Sequence, residues 1–173
     1  MRRYIWGLAG LAVFAACDAA DPDSENHRPF APTVSPDELS GLVGDDWQGE
    51  LTYRGQGNAE TGVTVPVELL VGQNGRTFEL HFSFPENRQA DGRAEVTISE
   101  DGRRINDEML VRRLEDDGTL MLVTQQACEE NSEPGTCEYT YMIAPHAFGI
   151  TRMVRPKGPA EPFQASRYLF TRP

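Results

Sequence analysis

The sequence predicts an all-β domain, an antiparallel up-and-down β-barrel of about 8–10 strands. Three observations carry this. From Trp47 onward, apolar residues recur with a period of two rather than 3.6. Turn dipeptides break the pattern at short intervals, as Asn74-Gly75, Asp101-Gly102 and Asp117-Gly118. No stretch carries a long amphipathic helical pattern. A β-sandwich is the alternative, but short turns between successive strands favour a meander, and closing a meander removes its two exposed edges.

The elements follow in order. Ser35-Pro36-Asp37-Glu38 has the form of a helix start, with a capping serine, proline first and glutamate third. Only a turn or two can follow before Gly41 and Gly44. Trp47, Gly49, Leu51 and Tyr53 alternate with polar residues, and Val63 to Val71 repeats the pattern. Phe78, Leu80, Phe82 and Phe84 make a third run. Further strands are read at Val96/Ile98, Ile105–Leu114, Leu120–Val123, Tyr139–Ile143, Phe148–Val154 and Phe163–Phe170.

Residues 1–16 have a different character. Arg2 and Arg3 precede an uncharged run from Ile5 to Ala16, which is followed by Cys17. A basic start, about a dozen apolar residues and a small-residue site make an export signal, because a membrane-spanning helix needs about twenty. An ordinary secretory signal with an incidental cysteine is the simpler alternative. Phe14-Ala15-Ala16-Cys17, however, resembles the lipobox of bacterial lipoproteins. The resemblance implies cleavage before Cys17, acylation of its thiol, and a cell-envelope protein held on a membrane by its acyl chains. Arg2-Arg3 loosely resembles a twin-arginine signal, and Asp18 resembles the inner-membrane retention signal of enteric bacteria. The choice of membrane stays open.

Assigning Cys17 to a lipid leaves Cys128 and Cys137, with eight residues between them, as a cysteine pair. In an oxidising envelope compartment such a pair forms a disulfide. Free thiols conflict with the export signal, and a zinc site lacks further ligands at suitable spacing.

Removing residues 1–16 takes the net charge from −11 to −13, with 14 basic residues against 27 acidic. Such a balance argues against nucleic acid as a partner. Asp18 to Pro36 holds four prolines and few large apolar residues, so residues 17–36 are expected to be a disordered, lipid-anchored tether, with the barrel over residues 37–173.

From Trp47 on, the arrangement resembles the calycin superfamily of lipocalins and fatty-acid-binding proteins, with an early tryptophan strand, a meander and an arginine in the last strand. Trp47 and Arg167 are the matching residues. Gly44-Asp45-Asp46-Trp47 has one residue more than the lipocalin Gly-x-Trp, and Arg167-Tyr168 are adjacent where fatty-acid-binding proteins have Arg-x-Tyr. The resemblance implies a barrel interior able to hold a small apolar molecule.

Catalytic chemistry finds no support. There is no Gly-x-Ser-x-Gly elbow, no Gly-rich phosphate loop and no zinc-type His pair. His27 falls in the tether, His81 alternates away from Leu80 and Phe82, and His146 follows Pro145 in a turn. The neighbouring carboxylates Asp45-Asp46, Asp116-Asp117 and Glu129-Glu130 point to opposite faces of a strand and make no acid/base dyad. No catalytic residue, metal or cofactor is therefore assigned.

Arginines on apolar faces are the misfits. Arg152 shares parity with Phe148, Ile150 and Val154, and Arg167 with Phe163, Ala165 and Leu169. Facing inward, they could hold an anionic head group by paired hydrogen bonds. Alternatively, an arginine lies across the barrel end, pairs with a turn aspartate and covers Trp47. Two functions are thus in view: a membrane-anchored module binding a small apolar or amphiphilic ligand, and an envelope interaction or inhibitor protein acting through loops. The acidic Cys128–Cys137 hairpin is the best feature of the second.

Overall fold

A computed structural model describes residues 31–54, 62–130 and 132–173. The export signal, Cys17, His27 and most of the expected tether lie outside the described residues. Ten antiparallel strands form one sheet: β1 (Gly44–Arg54), β2 (Gly62–Asn74), β3 (Thr77–Ser83), β4 (Gly92–Thr97), β5 (Arg104–Ile105), β6 (Glu108–Asp116), β7 (Thr119–Glu130), β8 (Glu133–Ala144), β9 (Ala147–Pro156) and β10 (Phe163–Thr171). Their order, β4-β3-β2-β1-β10-β9-β8-β7-β6-β5, is a meander in which the first and last strands pair. The sheet curls into a nearly closed up-and-down barrel, as the period-two pattern predicts.

The turns show how residue chemistry sets the register. Asp117-Gly118 forms a two-residue loop with both residues at positive φ (44° and 72°), the geometry that a tight hairpin demands. The Asn74-Gly75 signal is displaced by one residue: Asn74 pairs with Thr77, and the loop is Gly75-Arg76. The run read as one strand from Ile105 to Leu114 is two strands. A turn at Asn106-Asp107, with Asn106 at φ 54°, splits it into β5 and β6 and raises the strand number to ten.

That same turn closes the barrel. The edge strands are β4 and β5, joined by a bridge from Ile98 to Ile105. Asn106 adds three bonds to the β4 edge: its N–H donates to Thr97 O (2.7 Å), its Nδ2 donates to Glu95 O (3.0 Å), and its Oδ1 accepts from Thr97 N (2.8 Å). One side-chain amide thus stands in for a missing strand residue.

One end of the barrel is capped by a short helix, α1 (Pro36–Leu39), continued by a 3-10 turn over Ser40–Leu42. As expected, Glu38 reaches back to accept from the Ser35 N–H (2.8 Å). The ordered domain begins earlier than the predicted Asp37. Val34 is buried in the core, and its N–H donates to Gly102 O (2.9 Å). Gly102 is at φ +70°, and a Cβ there would run into the Val34 backbone, so glycine permits the docking.

Leu39 and Leu42 close over Trp47, Phe78, Phe148 and Phe170, which fill the capped half. The residual void there is about 10 Å³, at most room for one water. The extra residue in Gly44-Asp45-Asp46-Trp47 is absorbed as a β-bulge, since Gly44 pairs with Val71 and Trp47 with Leu69.

Asn106→Ala removes two side-chain bonds at the seam and places alanine at positive φ. Urea unfolding is expected to show a loss of about 2 kcal/mol. An unchanged midpoint would mean that the seam does not hold the barrel shut.

Candidate functional site

The capped end and the opposite end differ in side-chain size. Near the cap, the inward positions of β4 and its continuation are Val96 and Ile98. At the far end they are Gly92 and Ala94, paired with Phe82 and Leu80 across the strand. Replacing branched side chains with these small ones leaves space. A cavity of about 640 Å³ opens there, lined on its apolar side by Leu51, Val65, Phe82, Phe84 and Tyr168. Its floor is aromatic: the Phe82 ring lies 4.9 Å from Tyr168 and 6.3 Å from Phe170. This layer divides the filled half from the hollow half. Burial pushes the Tyr168 phenol above its usual range.

The cavity rim comes from the β3–β4 connection, where Asn87 N donates to Phe84 O (3.0 Å) and Phe84 N donates to the Asp91 carboxylate (2.7 Å). Glu86, Asn87 and Arg93 supply the polar edge. A concave, largely apolar space of this volume, with a few polar groups at its mouth, suits a small organic molecule. Among the described residues no group of acids, histidines and cysteines is placed to hold a metal ion.

Neither arginine singled out from the sequence lines this cavity. Arg152 does share the inward face with Ile150 and Val154, but its guanidinium is taken up by Glu130 at 2.7 Å and lies 3.4 Å from Cys137 Sγ. Its Nε is buried without an acceptor. Arg167 is exposed on the outer face. A β-bulge between Gln164 and Ser166 shifts the alternation, so Tyr168 and Phe170 turn inward and Arg167 turns out. Parity with Phe163 and Ala165 therefore misleads beyond residue 165.

The bracing role falls to Arg172 instead. Its guanidinium stacks 4.4 Å above the Trp47 ring and approaches Asp46 at 3.9 Å. It also donates to Gly41 O (2.8 Å) and Pro145 O (3.1 Å), tying the cap to two strand ends. Trp47 Nε1 donates to Leu42 O (2.8 Å), which completes the plug.

Cys128 and Cys137 sit at disulfide distance, with Cα atoms 5.7 Å apart, on the long β7–β8 hairpin. Cys137, Val154 and Ala165 form a second small core beside it. The hairpin acids are partly neutralised in place: Glu130 by Arg152, and Glu138 by Arg155 at 3.5 Å. This leaves less bare negative charge for a partner than the sequence suggests.

A buried polar cluster lies outside everything the sequence reading singles out. Glu108, at the start of β6, is 5% exposed and accepts through one oxygen from the Thr124 and Tyr141 hydroxyls. The sequence does hold a signal for it, because Glu108 shares parity with Leu110 on an apolar face. Burial pushes the Glu108 carboxyl above its usual range; the two hydroxyls oppose this, and nearby Asp107 adds to it. Tyr141 is pushed up as well, by burial first and then by Glu108.

No protein-family model matches the sequence, and no curated protein does either. Among solved structures, the chain is similar to Rv2717c from M. tuberculosis, with a TM-score of 0.53 at 9% identity over 79% of this chain and 96% of that one. A mutant of the fluorescent protein UnaG is matched with a TM-score of 0.37 at 12% identity, over 78% of this chain and 96% of that one. The first likeness is one of fold. Fold and cavity together define a meander barrel plugged at one end and hollow at the other.

Because folding raises the Glu108 pKa, its neutral form is favoured in the folded state. The associated stability is present below the ordinary value of 4.5 and is lost as pH rises through the folded value. Glu108→Gln should flatten that decline in urea unfolding curves taken from pH 4 to 8. Parallel curves for the two proteins would show that the carboxyl is not titrating across folding.

Proposed function

We propose that this chain is an envelope lipoprotein, held on a membrane through acylated Cys17, whose barrel binds a small apolar or amphiphilic molecule. The observation that carries the binding reading is the open-end cavity of about 640 Å³, with its apolar wall and aromatic floor. The lipobox resemblance of Phe14-Ala15-Ala16-Cys17 supports the anchored, extracytoplasmic setting. Glu86, Asn87 and Arg93 at the mouth offer polar contacts, so a ligand with one polar end suits the site better than a pure hydrocarbon. The fold by itself names no ligand.

The test is to fill the cavity without touching the core. Ala94 faces the cavity from β4, and Ala94→Trp places an indole in the space. An anilinonaphthalene sulfonate dye is expected to bind the wild-type protein with enhanced fluorescence. The variant should bind it at least about tenfold more weakly, equivalent to about 1.4 kcal/mol, with an unchanged melting temperature. Equal dye binding by both proteins would contradict the binding reading.

A further inference from the structure

The barrel closes over only part of the β4 edge. In an antiparallel strand, the N–H and C=O of one residue point to the same side, and those of the next residue to the other. On the free side of β4, Asn106 takes both Thr97 groups and the Glu95 carbonyl. The same alternation turns the Glu95 N–H and both backbone groups of Arg93 to that side, while Gly92 and Ala94 bond toward β3. Among the described residues these groups have no hydrogen-bond partner, and Gly92, Arg93, Ala94 and Glu95 are all exposed. A short strand edge of this kind is ordinarily left to water.

This one borders a hollow. Gly92 and Ala94, on either side of Arg93, face inward and line the cavity of about 640 Å³. A strand laid along the edge would carry its own inward side chains into the space that these two small residues leave, because successive side chains alternate between faces. Its middle residue would lie outside, opposite Arg93. Among the described residues no carboxylate pairs with the Arg93 guanidinium, so an acid there meets an unanswered cation. Glu95, on the same outer face, disfavours an acid one pair further along.

We propose that the free edge of β4 binds an extended peptide by strand addition at Arg93, with a large apolar residue before and after one acidic residue. The apolar pair fills the cavity beside Gly92 and Ala94, the acid meets Arg93, and the peptide backbone closes the open hydrogen bonds. Proline cannot take the middle position, since its nitrogen carries no donor. A second copy of this chain fits less well. Asn106 holds the Glu95 carbonyl and stops a partner strand there, so two β4 edges would meet with Arg93 opposite Arg93. The proposal rests on the cavity of the reading above and adds a backbone requirement that a small molecule does not have.

The probe is the capped peptide Ser-Thr-Phe-Asp-Phe-Thr-Ser, titrated into the full-length protein by calorimetry, beside a separate titration with the anilinonaphthalene sulfonate dye. Saturable binding of the peptide is expected. Methylating its aspartate nitrogen should weaken binding about tenfold, because this removes the N–H that meets the Arg93 carbonyl and touches no protein residue. Lysine in place of the aspartate should weaken binding to the wild type and restore it to Arg93→Glu. No saturable binding by the parent peptide, or equal affinity for its methylated form, overturns strand addition. Dye binding without peptide binding overturns this proposal alone, and loss of both overturns the cavity reading as well. Dimers of the free protein that dissociate as the peptide binds would make a second copy the occupant of the edge and overturn the choice of partner.

Discussion

Closure of the sheet is the constraint on which the rest depends. A ten-strand meander has two edges, here β4 and β5, and an unpaired edge exposes backbone donors and acceptors. The Ile98–Ile105 bridge and the three bonds of Asn106 satisfy them over Glu95–Ile98, where the two edges meet. Once the ring is closed, inward side chains must either fill it or leave it hollow. At the capped end Trp47, Phe148 and Phe170 fill it, and Leu39 and Leu42 seal it. At the other end Gly92 and Ala94 leave it open. The cavity is thus a consequence of two small residues on one strand, set in a frame that closure keeps rigid.

Much of this is legible in the sequence because the signals are local. Alternation over Val63–Val71 and Phe78–Phe84 marks two strands without ambiguity, and Asp117-Gly118 fixes a turn through backbone preference alone. What escapes is set by tertiary context or by a one-residue irregularity. Asn106 reads as an ordinary polar residue within a strand, until the β4 edge makes it a turn and a staple. The bulge at residue 165 leaves no mark in composition, yet it turns Arg167 outward and Tyr168 inward. Arg172 draws no notice in the sequence, although it takes the bracing role that the alternation offers to Arg167. The site is less legible than the fold, since a hollow depends on which small residues face large ones across the barrel.

The charges divide in the same way. Arg152, Glu130 and the Cys128–Cys137 pair brace the hairpin, so an arginine that looks like a ligand anchor has a structural partner instead. Glu108 is the reverse case, a carboxyl held inside the barrel by two hydroxyls, where burial rather than pairing governs its ionisation. The proposed assignment separates the regions by what they do. One end is plugged for stability, and the other is hollow for a ligand.

The central claim is that the open end holds a small molecule. It is tested most directly by native mass spectrometry of the full-length protein extracted from its own membrane under non-denaturing conditions. The account predicts one noncovalently bound apolar or amphiphilic molecule per chain, released when the protein is denatured. A spectrum showing only the chain with its covalent modifications, together with an experimental structure in which Phe82, Phe84 and Tyr168 fill the open end, would contradict it.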